Sequence, residues 1–325
     1  MKKLIYIENE IKEHPRTIAI AKKFKNSKVI YINNYSEVFN KKNQSFDLQK
    51  KKPAIILAKK HKNYLNKIPK NYGIGNQHNY YFSYMYNCVF DCKYCFLQGL
   101  YSSANYVIFI NYEDFLHEIK SVSKKLANKK ITFFSGYDCD SLAYEPFSGF
   151  IENILKSFSG ITNAELEIRT KSTFIKPFLQ NKLNNVIVAF SFTPDRFSKY
   201  YEKGVPTVKK RIEALKILSK LGWKVGFRFD PVIVYKGWQE DYHNLFRSLF
   251  NNINNKQIHS VSFGNLRFPD NIYKRIIKNN PTEKLFFNVI KSKAGYETNS
   301  YAEINKYCRE SLYQYMDKEK IFSNY

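Results

Sequence analysis

Cys88-Val89-Phe90-Asp91-Cys92-Lys93-Tyr94-Cys95 sets three cysteines at C-x3-C-x2-C spacing, directly behind the strand-like run 81–86. Three thiolates this close along a loop can hold three irons of a 4Fe–4S cubane and leave the fourth iron open to a small molecule. A structural zinc site is the competing reading, but it takes four ligands and usually pairs two C-x2-C hooks. Outside the loop only Cys139 and Cys308 remain as thiols, and the loop itself has no histidine. Three unrelated buried cysteines are the plainest alternative. An iron–sulfur loop after a strand is the reading that uses both spacing and position.

Strands and helices alternate downstream of this loop. Apolar periodicity predicts helices over 112–127, 147–158, 207–221 and 238–251, and strands over 130–134, 165–169, 186–192, 224–229 and 259–263. With 81–86 these make six strands with intervening helices, hence parallel βαβ units and an α/β fold: a doubly wound sheet or a barrel, complete or partial. Upstream, 4–8, 28–33 and 54–58 read as strands around a helix at 11–24. A lysine-rich segment, 59–70, and a loop, 71–75, place a boundary near 65–78. The Gly73-Ile74-Gly75 of that loop lacks the third glycine of a phosphate loop and reads as a turn. Residues 265–325 are more irregular and end in a helix over 301–316.

Composition narrows the class. At 44% apolar and 25% charged residues the 325-residue chain is globular. It has no apolar run of membrane-spanning length and no signal-peptide core behind Met1. Five cysteines, an odd number, do not suggest a secreted disulfide framework, so a cytoplasmic protein is expected. The net charge of +25 comes from 44 Lys and nine Arg set against 28 Asp and Glu. Lysine enrichment of this kind accompanies AT-rich codons, so nucleic-acid binding and a solvated basic surface both remain open. The six histidines form no metal-spaced pair, and no hydrolase or nucleotide-binding motif occurs.

The cysteine loop resembles that of the radical S-adenosylmethionine superfamily, in which it follows the first strand of a partial (βα)6 TIM-type barrel. The likeness extends to one family. Tyr94-Cys95-Phe96-Leu97-Gln98 is similar to the Tyr-Cys-Tyr-Leu-Gln of the spore photoproduct lyases. Leu4-Ile5-Tyr6-Ile7-Glu8, Thr170-Lys171, Phe190-Ser191, and Glu202 and Gly204 before the Arg211 helix match it in order. So do Gly222 to Gly237-Trp238 and Arg267-Phe268. The resemblance implies an N-terminal α/β domain over 1–75, a radical SAM partial barrel over 76–268 and a C-terminal substrate- and DNA-facing extension over 269–325.

It also implies a reaction. Cys88, Cys92 and Cys95 bind one 4Fe–4S cluster, which passes an electron to S-adenosylmethionine. The resulting 5′-deoxyadenosyl radical takes hydrogen from carbon 6 of a methylene-bridged thymine dimer, and two thymines result. Damaged duplex DNA is the implied partner, with a reductant such as flavodoxin or ferredoxin and no membrane. Lys171, Ser191 and Tyr94 align with cofactor-contacting positions, and Asp230 is read only as a cofactor neighbour. Tyr94 matches the first of two tyrosines in a hydrogen relay, while Phe96 stands at the second without an O–H. Cys139 is the expected hydrogen donor, although anchoring on Asp140 sets Tyr137 at the donor position. Arg267, Lys293 and Tyr296 are the expected nucleic-acid contacts, the last two on a hairpin expected over 291–304. A radical enzyme of the same fold acting on RNA or a peptide, and a metal-containing nucleic-acid-binding protein, are the alternatives.

Overall fold

The run Leu4–Glu8 is a strand of a first, mostly parallel sheet, flanked by Lys28–Ile32 on one side and Ile55–Ala58 on the other. All four residues of Ile55–Ala58 are buried, as a parallel strand covered on both faces requires. The computed structural model describes residues 3–69, 72–286, 289–293 and 295–324. The expected loop at 71–75 is a loop from Tyr72 on, and Asn71 lies outside the described residues.

Two further strands of this sheet come from beyond residue 75. Tyr106–Phe109 runs parallel to Ile55–Ala58, and Met85–Tyr86 pairs antiparallel with Tyr106–Phe109. The expected strand 81–86 therefore divides. His78–Phe82 belongs to the barrel, whereas Met85–Tyr86 crosses to the first sheet. Four residues such as Tyr106–Phe109 are too short for periodicity to separate strand from loop, and the N-terminal sheet is completed only with them.

The second sheet carries six parallel strands in chain order: His78–Phe82, Ile131–Ser135, Ala164–Thr170, Val186–Ser191, Lys224–Val232 and Ile258–Asn265. Each neighbours the next, which is the winding of a barrel left open. Asn66–Lys67 extends one edge antiparallel and Ile321–Ser323 the other in parallel. The helices Tyr112–Lys125, Phe150–Phe158, Val208–Lys220 and Trp238–Asn252 connect the strands and bury one face each. The helix expected at 147–158 is split at Gly149, whose φ of 63° a side chain would resist.

A buried ion pair crosses the barrel interior. Arg228 of the fifth strand grips Glu167 of the third through Nε at 3.1 Å and Nη2 at 2.7 Å, both side chains fully buried. Gly226 makes room for the guanidinium, since a Cβ there would stand 2.8 Å from Nη2.

Lys60 is buried at the end of the first sheet's strand Ile55–Ala58. Its ammonium donates to the Tyr86 hydroxyl at 2.9 Å and lies over the Tyr86 and Phe109 rings at 4.8 and 4.6 Å. Burial pulls it down from 10.5 to about 8, so it destabilises the fold fully below pH 8 and ceases to do so as pH rises toward 10.5. Lys60→Met is therefore expected to raise the melting temperature at pH 7, corresponding to up to ~3 kcal/mol. The gain should shrink steadily between pH 8 and 10, and a melting series across that range measures it.

The C-terminal part adds the helix Asp270–Asn279 and a small antiparallel sheet of Arg267–Phe268, Gly295–Thr298 and Val289–Ser292. The hairpin is thus earlier than expected, and Ala294 lies outside the described residues. Tyr296 stacks on Tyr273 at 4.0 Å, which locks the hairpin to the helix.

Candidate active site

The cysteine loop starts at Asn87, whose φ of 65° turns the chain out of Met85–Tyr86. Asparagine tolerates this left-handed conformation, and its amide donates to the Ser103 and Asn105 carbonyls, both at 2.7 Å. Asp91–Cys92 then pairs antiparallel with Glu202–Lys203, so a segment beyond the fourth barrel strand holds the middle of the loop. The helical turn Leu97–Leu100 closes it. Gly99 lets Asp270–Asn279 pack directly on that turn, because a Cβ would meet the Ile272 carbonyl at 2.5 Å. Arg275 donates to the carbonyls of Gly99 and Leu100 at 2.6 and 3.0 Å. From the N-terminal side Lys50 reaches Asp91 and Gln98, each at 2.6 Å. All three parts of the chain pin the loop.

Cys88, Cys92 and Cys95 are free thiols. Burial pushes all three up, Cys92 to about 12, and Cys92 and Cys95 each push Cys88 further. Lys171 opposes burial at Cys92 and Cys95. Three unpaired thiols within electrostatic reach of one another, on a loop fixed at both ends, fit the three-ligand chemistry of a cubane. No group of three His, Cys, Asp or Glu among the described residues is gathered tightly enough for a single ion. A cubane does not require that, because its ligands serve separate irons.

Lys171 follows the third strand and enters a buried polar network. Its ammonium donates to the Tyr94 hydroxyl at 2.5 Å and to Cys92 Sγ at 3.7 Å, and it lies 3.1 Å from Glu202. The Tyr94 hydroxyl donates to Glu202 in turn. Glu202 also accepts from Thr193 at 2.9 Å, Ser198 at 2.7 Å and Arg211 at 2.6 Å. Burial favours its neutral form, but Lys171 and Arg211 outweigh burial and hold the carboxyl well below its usual range. Ser191 ends the fourth strand, half-buried, and its carbonyl accepts from Arg211 at 2.8 Å. The sequence marked Glu202 and Arg211 only as family matches, since neither has a periodic or spacing signal.

The segment after the second strand separates two residues that sequence reasoning set side by side. Cys139 is 6% exposed, within the apolar core, and its nearest charged or polar neighbours include Cys88. Tyr137 is 44% exposed, stacked on Tyr81 at 4.2 Å and 5.6 Å from Phe96. At the barrel end it is Tyr137 that presents itself beside the cysteine loop.

The remaining expected residues spread around the same end. Asp230 accepts from Ser262 at 2.6 Å and Asn324 at 2.8 Å, with Arg169 3.9 Å away. Arg267 donates to the Asn324 carbonyl at 3.1 Å and covers the Tyr72 ring at 4.5 Å. Lys293 is exposed at the hairpin turn, apart from Arg267, while the Tyr296 ring is occupied by Tyr273.

A family model described as spore photoproduct lyase matches residues 1–322. The spore photoproduct lyase of Bacillus subtilis (strain 168) is 25% identical over 331 residues, covering 97% of this chain and 94% of its own length. That of Clostridium acetobutylicum is 27% identical over 210 residues, covering 64% of this chain and 62% of its own. Among solved structures, a spore photoproduct lyase variant with bound AdoMet and dinucleoside spore photoproduct superposes with a TM-score of 0.84 at 16% identity. That alignment covers 100% of this chain and 98% of the other. The fold is the partial barrel that the cysteine loop implied.

Proposed function

We propose, since this chain belongs to the spore photoproduct lyase family, that it is a radical S-adenosylmethionine lyase of DNA repair, which reverses a methylene-bridged thymine dimer to two thymines. The observation that carries this reading is the three-thiol loop, held after the first strand of the open barrel and tied to Lys171 at its end. Cys88, Cys92 and Cys95 would hold a 4Fe–4S cluster, which together with S-adenosylmethionine would supply the 5′-deoxyadenosyl radical. The chain's own work is to hold the cofactor, exclude water and deliver a hydrogen at the right place. Lys171 and Ser191 stand at the strand ends where a cofactor's polar groups are met. Tyr94, buried with its hydroxyl between Lys171 and Glu202, fixes one wall. A low-potential one-electron carrier such as flavodoxin or ferredoxin supplies the electron, and such chemistry belongs in the cytoplasm. No described helix is long and apolar enough to cross a membrane.

Anaerobically reconstituted protein, given S-adenosylmethionine, a reductant and a dinucleoside spore photoproduct, should release the repaired dinucleotide. Cofactor cleavage without repair would overturn the substrate assignment.

Cys139 as the hydrogen donor must deliver its thiol from its buried place beside Cys88. On that assignment Cys139→Ala yields adducts at the thymine methyl in place of clean product. Unchanged clean repair moves the role to Tyr137, whose phenol already stands at the barrel end.

Lys293 faces the DNA backbone, with Arg267 and Tyr296 holding the hairpin base. Lys293→Ala should weaken duplex binding for all sequences alike and lower the salt slope of log affinity by about one. Fluorescence anisotropy across a salt series measures both.

A further inference from the structure

We propose that Lys171, positioned by Glu202, is the residue that sets the reduction potential of the cluster, through its hydrogen bond to Cys92 Sγ. This rests on the reading that the three cysteines hold an iron–sulfur cluster.

The buried network has two cations, Lys171 and Arg211, for one carboxylate, Glu202. Arg211 is spent on that carboxylate, on Ser198 Oγ at 3.0 Å and on the Ser191 carbonyl. Glu202 accepts from Tyr94, Thr193, Ser198 and Arg211 and pairs with Lys171 at 3.1 Å. Two cations on one carboxylate leave the network with one net positive charge, and Lys171 is the cation that brings it to the cysteine loop, its Nζ 3.7 Å from Cys92 Sγ. Glu202 pairs in register with Cys92, so the ligand and the anchor of the lysine share one two-stranded ladder. This registry keeps the ammonium at the sulfur and not merely nearby.

Hydrogen bonds and positive charge at a ligating sulfur favour the more negative, reduced cluster and raise its potential. Reduction adds one electron from the external carrier, and no bond of the network breaks or changes its proton. Tyr94 adds a geometric constraint: its hydroxyl, fixed by donating to Glu202, accepts from Lys171, so the lysine cannot turn away without losing both Tyr94 and its ion pair with Glu202.

The test is a redox titration of reconstituted protein without S-adenosylmethionine, read by the electron paramagnetic resonance signal of the reduced cluster. At the wild-type midpoint, Lys171→Met should lower the reduced-to-oxidised ratio about tenfold, the size of one charge-assisted hydrogen bond. Glu202→Gln should shift it the opposite way, because it removes the negative charge and leaves both cations. Lys171→Arg should recover most of the wild-type value. A simple loosening of the loop would move Lys171→Met and Glu202→Gln in the same direction, and that result overturns the proposal, as does an unchanged midpoint in Lys171→Met. Should Lys171→Met fail to load iron, Lys171→Gln carries the same expectation. Wild-type protein that takes up no iron and sulfide would instead refute the cluster reading itself.

Discussion

Cys92→Ala, prepared anaerobically beside the parent protein, should keep its far-ultraviolet circular dichroism and lose its iron. The parent is expected to bind about four irons per chain, and the variant close to none. Cofactor cleavage and lesion repair should fall to background with it. The reason is ligand arithmetic: with three thiolates for four irons, loss of one leaves a cubane with two open corners on a loop that has no histidine to replace it. Cys92 is the most demanding of the three, being buried, paired to Glu202 and hydrogen-bonded by Lys171. Cys308→Ala is the matching control. That thiol lies wholly buried on the helix Tyr301–Leu312, within the apolar core, and its loss should leave iron content and cleavage unchanged. Retained stoichiometric iron in Cys92→Ala would contradict the assignment.

Glu167→Ala should have the largest effect on stability, a loss of about 3–5 kcal/mol. The Arg228 guanidinium is fully buried, and besides Glu167 its partners among the described residues are the Phe227 and Ser260 carbonyls and Ser260 Oγ. Removing the carboxylate leaves the guanidinium buried inside the barrel without its ion-pair partner. The pH dependence gives an independent check. Burial pushes Glu167 up, but Arg228 and Arg169 outweigh it and hold the carboxyl at about 2 against 4.5 ordinarily. A depressed carboxyl contributes stability fully above pH 4.5 and loses it as pH falls toward 2, so the parent should lose ~3 kcal/mol over that window. Urea titrations at pH 7 and pH 3 measure both. The difference between parent and variant should narrow at the lower pH, and equal sensitivity to acid in the two proteins would argue against the pair.

The same contrast separates what local sequence reveals from what it hides. The thiol loop is legible because its chemistry is compressed into eight residues, and because a strand pattern precedes it. Its supports are not. Lys50, Glu202 and Arg275 reach it from opposite ends of the chain, and surface lysine, glutamate and arginine have the same sequence appearance as buried ones. The Glu167–Arg228 pair is invisible for the same reason, since alternation within each strand says nothing of which strand lies across the barrel.

By itself, then, the sequence determined the α/β alternation and the close spacing of the three loop thiols. Those depend on contacts within one turn, one strand or one loop, where spacing along the chain equals spacing in space. The tertiary structure alone decided that Met85–Tyr86 and Tyr106–Phe109 complete the N-terminal sheet. It also decided that Tyr137 faces the barrel end while Cys139 is buried, and that the lysine beside the cluster loop is anchored by Glu202. Each of these is a choice between faces, edges or distant partners, and such choices are made by burial and charge pairing across the whole fold rather than by neighbours in the chain.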